Sequence, residues 1–465
     1  MFGLFRKKPP SIFVQIASYR DTECQWTVKD LFENAEMPER VHVGICWQCD
    51  LGLDKDCFVE PYPRPRQVRE ITVHPSETKG VCWARAQVQT LFHDEDYVLM
   101  IDSHMRFIKG WDKALIEELA RCGSEKPILS GYPPGYTPPD VLEQSPRPVV
   151  MVVKQFNEKG ALRMNGEKLE GEKPEKPLRG AFMAGGFIFA SGKFVREVPY
   201  DPHLYFDHEE IMLAARAYTH GWNVYHSPET FLYHYYNDQK GPARPTHWAD
   251  NPDWAKFHRI SHARYDYLLA GVTPEKKEAL EEMEEYGLGK ARSLAEFEAF
   301  TGLDFKNKVA SGRALKGGFI EGLDRYRRKP ALSKGGVMPP LKVADEKGEL
   351  QDIPPPCIVC LLPKNSDAYM KEFFESYEAK EEGLNLPLVF ILQGTANEAS
   401  AARDKYNIPQ SVLADKAGAI WKLFGRAGKP QDPYSVALDA EGRIKAFVDN
   451  RNAANHMGDL LRITF

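Results

Sequence analysis

The stretch YVLMIDSHMRFIKGWD, residues 97–112, begins as a buried strand and then turns polar. Its first five residues are apolar, and Asp102, Ser103 and His104 follow the run at once. Residues i and i+2 of a strand point to the same side, so Asp102 and His104 would project together if the strand geometry persists. A carboxylate and an imidazole suit Mn²⁺ or a similar divalent ion. Asp and Ser after a strand also commonly cap the next helix, so the spacing alone leaves a turn and a metal site both open.

Strand and helix patterns alternate on both sides of this stretch. Runs rich in β-forming residues take turns with runs whose apolar residues recur at helical spacing: strands at 11–19, 40–48 and 69–75, and helices at 27–35 and 81–94. This rhythm predicts an α/β fold with a mainly parallel sheet wrapped by helices. No G-x-G-x-x-G follows the first strand, which argues against a dinucleotide site of the usual kind. Ligands of open α/β sheets bind beyond the carboxyl ends of the strands, where ASYRD (17–21) and DSH (102–104) both fall.

The composition is that of a globular protein with more than one domain. The chain has 465 residues, of which 43% are apolar and 27% are charged. Its formal net charge of −5 argues against a nucleic-acid partner held by general electrostatics. No stretch approaches the roughly 20 apolar residues of a membrane span, and the start MFGLFRKKPP lacks the apolar segment of a secretory signal. These features predict a cytoplasmic protein without a membrane span.

Eight cysteines are spread thinly along the chain, which predicts mostly free thiols in a reducing compartment. Cys46, Cys49 and Cys57 lie close enough together in sequence to suggest a zinc site. However, no second C-x-x-C or H-x₃-H pair occurs at zinc-finger spacing. Packed thiols are therefore the better interpretation.

Other segments differ in polarity and mark further elements. Residues 154–180 are polar and charged, and they predict a solvated hairpin or loop. Gly185 and Gly186 lie within an apolar run, and residues 208–222 have a helical pattern with a glycine stop. Residues 306–354 are rich in Gly, Pro and basic side chains, which predicts a connector with little core of its own.

Several ordered motifs carry a resemblance to known enzymes. IDSH followed by Trp111, the MAGG segment at 183–186 and the block at 200–222 resemble the retaining GT-A glycosyltransferases of the polypeptide GalNAc-transferase type. A closer resemblance, to the cytoplasmic protein-hydroxyproline N-acetylglucosaminyltransferases, rests on IFVQIASYRD, VGICWQ, KGVCWARAQVQ, DSHMRF, RGAFMAGGFIFA, FDHEEI and LAEFEAFTGLDF. It extends over most of the first 305 residues. It implies a Rossmann-like GT-A fold and transfer of GlcNAc from UDP-GlcNAc, with retention, to a hydroxyproline of a protein.

The resemblance also implies roles for the matching residues. Asp102, His104 and His234 (in LYHYY) would bind Mn²⁺ or another divalent cation on the donor diphosphate. The implied catalytic residues are Glu209, Glu210 and Arg85. The implied donor-binding residues are Tyr19, Arg20, Asp21, Arg85, Asp102, Ser103, Gly185, Gly186, Arg244, His247 and Trp248.

Other interpretations of these residues stay open on the sequence alone. Adjacent glutamates also suit a helix start through the macrodipole, and a lone histidine such as His234 is more often packed or exposed than a ligand. The loop 235–248 is as typical of an ordinary surface loop as of one that closes over the donor. Asp207 and His208 stand where the GalNAc-transferases have Gly-Gly, which predicts different acceptor or sugar contacts.

For a retaining reaction the sequence offers no convincing covalent nucleophile. We expect front-face attack, with the leaving diphosphate accepting the proton of the acceptor. The alternatives are UDP-GalNAc or another UDP-sugar as donor to a glycan or small acceptor, a binding protein with a degenerate site, and a thiol oxidoreductase. The expected partners are a UDP-sugar and a protein or peptide acceptor, and the C-terminal module is a candidate for homo-oligomerisation.

The pattern after Pro355 resembles a thioredoxin-fold module of the peroxiredoxin type, on SVLAD and PYSVALDAEGRI. Pro433 stands where that superfamily keeps a cis-proline. The redox cysteine expected after the first strand is absent from KNSDAYMK (364–371). Cys357 and Cys360 lie within the strand, and their offset of three points them to opposite faces. The predicted organisation is a GT-A domain at 1–305, a connector at 306–354 and a redox-inactive thioredoxin-like domain at 355–465.

Overall fold

The computed structural model of this protein describes residues 9–236, 244–327, 338, 342–363, 367–378, 384, 386–416, 418–424, 433–449 and 452–463. The chain separates into an N-terminal unit, 1–327, and a C-terminal unit, 328–465.

The strands of the N-terminal unit are β1 (Ile12–Tyr19), β2 (Val41–Gln48), β3 (Val68–Val73), β4 (Tyr97–Ile101), β5 (Met105–Phe107), β6 (Pro127–Ser130), β7 (Tyr136–Thr137), β8 (Val141–Leu142), β9 (Val149–Phe156), β10 (Leu162–Lys168), β11 (Leu178–Arg179), β12 (Phe187–Ser191), β13 (Asn223–His226), β14 (Leu232–His234), β15 (Leu303–Asp304) and β16 (Val309–Ala310). Its α-helices are α1 (Glu23–Asn34), α2 (Val81–Gln89), α3 (Trp111–Arg121), α4 (Lys193–Glu197), α5 (Glu209–Thr219), α6 (His247–Asp250), α7 (Trp254–Ala270), α8 (Met283–Tyr286), α9 (Leu294–Thr301), α10 (Gly312–Leu315) and α11 (Leu323–Tyr326). Short 3₁₀ turns lie at Pro38–Arg40, Lys55–Phe58, Pro65–Gln67, Pro75–Glu77 and Lys277–Leu280.

An eight-stranded sheet in the order β11-β13-β6-β12-β4-β1-β2-β3 forms the centre of this unit. β1 is parallel to β2 and β4, β2 is parallel to β3, and β6 is parallel to β13. β12 runs antiparallel to both β4 and β6, and β11 runs antiparallel to β13. The predicted α/β fold with a mainly parallel sheet is confirmed, and β1 and β4 end at the same edge.

Both faces of the sheet are covered, which explains why its strands are nearly continuous apolar runs. Alternate residues enter different cores: Phe13 and Met100 pack with α2 and α5, whereas Val14 and Leu99 pack with α1 and α3. Asp102 is the first polar residue after β4, so it marks the point where the chain leaves this buried layer.

The residues expected to form a connector, 306–354, are divided between the two units. Phe319, Ile320 and Leu323 are buried in the core of the N-terminal unit, and Val343 and Ile353 are buried in the C-terminal unit. Isolated apolar residues among glycines and prolines form no periodic pattern, so their contribution to the cores could not be predicted from the sequence.

The C-terminal unit is built on a seven-stranded sheet in the order β18-β17-β21-β20-β19-β22-β23. Its strands are β17 (Lys342–Ala344), β18 (Leu350–Asp352), β19 (Cys357–Leu362), β20 (Leu388–Leu392), β21 (Val412–Ala414), β22 (Tyr434–Leu438) and β23 (Ile444–Val448). Its α-helices are α12 (Asp367–Glu378), α13 (Ala396–Tyr406), α14 (Ala419–Leu423) and α15 (Ala453–Leu461). β19, β20 and β21 are parallel, whereas β22 is antiparallel to β19 and β23.

The two cysteines of β19 lie on opposite faces of this sheet. Cys357 packs with Trp421, and Cys360 packs with Phe373 and Phe390. Burial raises the pKa of Cys357 to about 11 and that of Cys360 to about 12. The predictions for residues 364–366 and for the bond between Asp432 and Pro433 involve positions outside the described residues.

No helix in the part of the chain that the structure describes combines the length and the apolar character needed to cross a membrane.

Candidate active site

Asp102, His104 and His234 converge at the carboxyl edge of the sheet. His104 precedes β5, and His234 is the last residue of β14, which pairs antiparallel with β5. Nε2 of His234 lies 3.1 Å from Nε2 of His104 and 3.2 Å from Oδ2 of Asp102. Ligand atoms of the three residues all lie within 4.8 Å of one another. Among the described residues this is the one group of three or more such side chains that could hold a metal ion.

Asp21 and Ser103 lie behind His104 and orient it. Oδ2 of Asp21 accepts hydrogen bonds from Oγ of Ser103 at 2.6 Å and from Nδ1 of His104 at 2.6 Å. Burial would raise the pKa of Asp21, but the bonds from His104 and Ser103 outweigh it and lower the pKa to about 2. Because Nδ1 of His104 carries its proton toward Asp21, Nε2 is left with a lone pair for a cation. Both residues were expected to contact the donor, and in the structure their side chains hold His104.

Arg85 connects the metal-ligand group to α5. Its Nη2 donates to Oδ1 of Asp102 at 2.9 Å, and its Nη1 donates to Oε1 of Glu209 and to the Tyr200 hydroxyl. Burial would raise the pKa of Asp102, but the hydrogen bond from His234 and the Arg85 charge hold it well below its usual range. Both Nη atoms of Arg85 are bonded to protein groups, whereas its buried Nε has no hydrogen-bond partner among the described residues. These bonds make Arg85 a positioning residue for Asp102 and Glu209.

The two adjacent glutamates at the start of α5 have different partners. Glu209 is buried against Arg85 and Tyr200. Glu210 accepts hydrogen bonds from the Gly185 N–H at 2.9 Å and from the Tyr132 hydroxyl at 3.2 Å. Burial, together with the neighbouring Glu209 charge, raises the pKa of Glu210 to about 7. Glu209 is therefore paired with a guanidinium, whereas Glu210 can keep a proton near neutral pH.

We expect Glu210 to make the protein less stable as the pH rises from about 4.5 to about 7. Over this interval the folded protein keeps a proton that the unfolded chain has lost, so raising the pH favours unfolding. Glu210→Gln removes this titration and keeps an acceptor for Gly185 and Tyr132. As the pH rises across this interval, the melting temperature of Glu210→Gln should increase relative to that of wild type. The exposed Glu39→Gln serves as control and should show no such relative increase. A difference between Glu210→Gln and wild type that does not change with pH would contradict the prediction.

Gly185 and Gly186 form a tight turn between Ala184 and Phe187, closed by the hydrogen bond from the Phe187 N–H to the Ala184 carbonyl at 3.1 Å. A Cβ on Gly185 would lie 2.7 Å from Nη1 of Arg85, and one on Gly186 would lie 2.6 Å from Oδ2 of Asp102. The turn approaches the site so closely that neither position has room for a side chain.

A cleft of about 270 Å³ adjoins this turn. It is lined by side chains predicted for the site and by others that the sequence did not single out: Val81, Arg85, Asp102, Tyr132, Leu162, Arg163, Met164, Gly185, Gly186, Phe206, Asp207, Glu209, Glu210 and Ile211. Leu162, Arg163 and Met164 belong to β10, which pairs with β9 in a hairpin. The segment 154–180 was expected to be solvated, but this part of it forms a wall of the cleft. Of these additional lining residues, only Asp207 had been noted in the sequence, because it departs from the Gly-Gly of the GalNAc-transferases.

The carboxyl end of β1 is tied to α6. The Tyr19 hydroxyl donates to Oδ2 of Asp250 at 3.0 Å, and Nη1 of Arg20 donates to the same oxygen at 2.9 Å. Nε of Arg20 also donates to Asp54 at 3.1 Å. Tyr19 and Arg20 therefore lie at the expected edge and fix α6 beside it.

His247, Trp248 and Arg244 differ in how much they can offer a ligand. Both ring nitrogens of the buried His247 are occupied, by the Tyr205 hydroxyl at 2.8 Å and by the Thr78 carbonyl at 3.0 Å. His247, which was expected to contact the donor, thus anchors α6 through both ring nitrogens. Trp248 is 46% exposed. Arg244 donates from Nη2 to the Tyr235 carbonyl at 3.1 Å, and its buried Nη1 has no partner among the described residues. Within the loop 235–248, residues 237–243 lie outside those the structure describes.

Cys46, Cys49 and Cys57, for which packed thiols were preferred over a zinc site, are buried and carry free thiols. Cys46 packs in one core of the sheet and Cys49 and Cys57 pack in the other, so the three do not face a common point. Burial raises their pKa values to about 12, about 11 and about 12, respectively.

Comparison with known proteins finds a match at residues 11–64 and 59–307 to the family model described as "Glycosyltransferase (GlcNAc)". No curated protein sequence matches the chain. Among solved structures the chain is similar to GalNAc-T7 with UDP, GalNAc and Mn²⁺, with a TM-score of 0.44 and 13% identity, over 63% of this chain and 57% of that one. It is also similar to the peroxidoxin BcpB from Mycobacterium tuberculosis, with a TM-score of 0.25 and 14% identity, over 28% of this chain and 94% of that one. A thiol peroxidase from Chromobacterium violaceum has a TM-score of 0.23 and 16% identity, over 28% of this chain and 86% of that one. The structural likenesses are too distant to carry chemistry, so the family match is what bears on function.

Proposed function

This chain belongs to the GlcNAc glycosyltransferase family, and we propose that its N-terminal unit transfers N-acetylglucosamine from UDP-GlcNAc to a hydroxyl group, with retention. The proposed acceptor is a hydroxyproline of a protein, because the motifs resemble enzymes with that acceptor. The GT-A fold, the donor sugar, the acceptor and the cytoplasmic location are parts of the proposal. The family match supports the coarser statement that the chain is a UDP-sugar glycosyltransferase.

The convergence of Asp102, His104 and His234 is the observation that carries the proposal. One carboxylate oxygen and two imidazole nitrogens suit Mn²⁺ or a related divalent ion. Asp21 leaves Nε2 of His104 as an acceptor, and Arg85 holds the far oxygen of Asp102, so the near atoms of both residues point toward Nε2 of His234, where a cation would bind. Such an ion would offset the negative charge of the diphosphate as the sugar leaves.

Arg244 and the residues at the end of β1 support a diphosphate bound at the metal-ligand group. Nη1 of Arg244 is buried without a partner among the described residues, and the Arg244 charge acts on His234. An incoming phosphate oxygen would supply a charge-assisted partner for this guanidinium. Tyr19, Arg20 and the exposed face of Trp248 would then lie on the nucleotide side, at the end of β1.

The partners of the two glutamates support front-face attack without a covalent intermediate. Glu209 is held by Arg85 and Tyr200, and Glu210 is held by Gly185 and Tyr132, so neither is a free nucleophile. In the proposed step the acceptor oxygen forms a bond to the anomeric carbon as the bond from that carbon to the β-phosphate oxygen breaks. The proton of the acceptor hydroxyl passes to that phosphate oxygen. Glu210, with its pKa of about 7, would hold a proton for a hydrogen bond to the sugar.

UDP release by the full chain with Mn²⁺, measured across a panel of UDP-sugars, tests the donor. We expect the fastest release from UDP-GlcNAc, and its transfer to a hydroxyproline peptide but not to the matching proline peptide. Faster turnover of UDP-GalNAc would contradict UDP-GlcNAc as the donor and indicate UDP-GalNAc instead. Equal labelling of the proline peptide would show that the enzyme does not transfer sugar to the hydroxyproline hydroxyl.

For the C-terminal unit we propose a thioredoxin-like module that binds or docks a partner and has no redox activity of its own. Cys357 and Cys360 are buried on opposite faces of the sheet, and burial raises the pKa of both thiols, so neither is poised as a thiolate. Consumption of peroxide by the purified protein with a thiol donor would contradict this proposal.

A further inference from the structure

The cleft carries an ion pair that the family motifs do not account for. Arg163, on β10, and Asp207, just before α5, both line the cleft, and Nη1 of Arg163 donates to Oδ1 of Asp207 at 3.0 Å. The contact joins the β9–β10 hairpin to the segment that leads into Glu209 and Glu210. Glu209 and Glu210 line the same cleft as this ion pair.

This ion pair, the Arg163–Asp207 pair, has hydrogen-bonding capacity to spare. The bond between Nη1 and Oδ1 is the only one of either side chain among the described residues, which leaves Oδ2 of Asp207 and the other N–H groups of Arg163 unused. The two side chains are 42% and 25% exposed, respectively. An incoming molecule would therefore meet a donor and an acceptor side by side.

An apolar surface adjoins this pair. Phe206 lines the cleft and is 53% exposed, and its ring lies 5.4 Å from that of Trp248, which is 46% exposed. Met164, the neighbour of Arg163 on β10, also lines the cleft. Exposed aromatic rings beside a cleft offer large contact areas at a low cost in side-chain entropy.

We propose that the Arg163–Asp207 pair and Phe206 form an acceptor subsite that binds the backbone of a polypeptide next to its hydroxyl-bearing residue. A peptide carbonyl accepts a hydrogen bond from Arg163, a peptide N–H donates to Oδ2 of Asp207, and Phe206 packs on the adjacent side chain. A free hydroxy amino acid lacks the flanking amides, so the subsite selects polypeptide acceptors. The inference rests on the proposed transfer to a hydroxyl and adds the residues that choose its acceptor.

The test measures peptide binding, which does not require turnover. A fluorescent peptide with one central hydroxyproline is titrated with the full chain in the presence of UDP and Mn²⁺, and unlabelled free hydroxyproline competes with it. Arg163→Met keeps the aliphatic stem but removes the donors. We expect it to lower the preference for peptide over free hydroxyproline about tenfold, equivalent to about 1.4 kcal/mol. The matched control is Arg325→Met, because Arg325 pairs with Glu172 at 2.9 Å and neither residue lines the cleft.

Asp207→Ala provides an independent second variant, and melting temperatures show whether each variant folds. The inference is overturned if folded Arg163→Met or Asp207→Ala keeps the wild-type preference, or if the wild type itself does not bind the peptide. Donor turnover is measured separately. Wild type that releases no UDP from any UDP-sugar would defeat the proposed function, whereas the binding comparison would still decide the subsite.

Discussion

Asp102→Ala should reduce Mn²⁺-dependent release of UDP from UDP-GlcNAc by about 10²–10³-fold, the loss typical of removing one group that stabilises transition-state charge. Asp102 supplies the only carboxylate of the metal-ligand group, and its Oδ2 lies 3.2 Å from Nε2 of His234. Without it, two imidazoles remain to hold the ion against the diphosphate. Added Mn²⁺ should restore the activity only in part, because a two-ligand site binds the ion weakly.

The Asp102 variant needs a control for folding, since the substitution also removes one of the partners of buried Arg85. Asp102→Asn keeps the shape and one hydrogen-bond acceptor for Arg85, and it should lose activity nearly as completely as the alanine variant. Asp324→Ala is the matched control, because the Asp324 side chain is 91% exposed, pairs with Arg327 at 2.7 Å, and neither residue lines the cleft. Wild-type turnover by a folded Asp102→Ala protein would show that the metal-ligand group does not serve the reaction.

Gly186→Ala should lower UDP release by up to about 10²-fold, because a misplacement of about 1 Å within an active site can cost that much. The new Cβ would lie 2.6 Å from Oδ2 of Asp102 and 3.4 Å from its Cγ. Either the carboxylate or the turn must move, and Arg85 holds the carboxylate from its other side. The ligand atom is therefore displaced from the position where it meets the two histidines.

Gly312→Ala is the control for this second substitution, since a Cβ on Gly312 meets nothing within 4 Å. It should leave both turnover and the apparent affinity for Mn²⁺ unchanged. For Gly186→Ala the concentration of Mn²⁺ that gives half-maximal turnover should rise. If Gly186→Ala keeps that concentration and loses only stability, the turn has a purely structural role.

The local parts of this site could be predicted from the sequence. The apolar run at 97–101 ends at Asp102, and the i, i+2 spacing to His104 directs attention to one edge of the sheet. His234 is 130 residues further along the chain from His104. It enters the group because β14 pairs with β5, a contact that no local pattern encodes. His234 was predicted as a metal ligand only because of the resemblance to known glycosyltransferases.

Other contacts of the site join distant segments and could not be predicted from local sequence. Asp21 follows β1 and was expected to meet the donor, but it turns toward His104, a partner 83 residues away. Arg163 lies in a polar segment that was expected to be solvated, but it lines the cleft together with Leu162 and Met164. Phe319 and Ile320 lie among glycines, so the part they play in the N-terminal core had no periodic signal.

Binding of Mn²⁺ tests the central claim most directly, because it needs neither the right sugar nor the right acceptor. Electron paramagnetic resonance of free Mn²⁺ can be followed as the full chain is added in the presence of UDP, for wild type, Asp102→Ala and Asp324→Ala. We predict one bound ion per chain in wild type and Asp324→Ala, and none at the same concentrations in Asp102→Ala. Equal binding by wild type and Asp102→Ala would contradict the assignment of Asp102, His104 and His234 as the metal site of a glycosyltransferase.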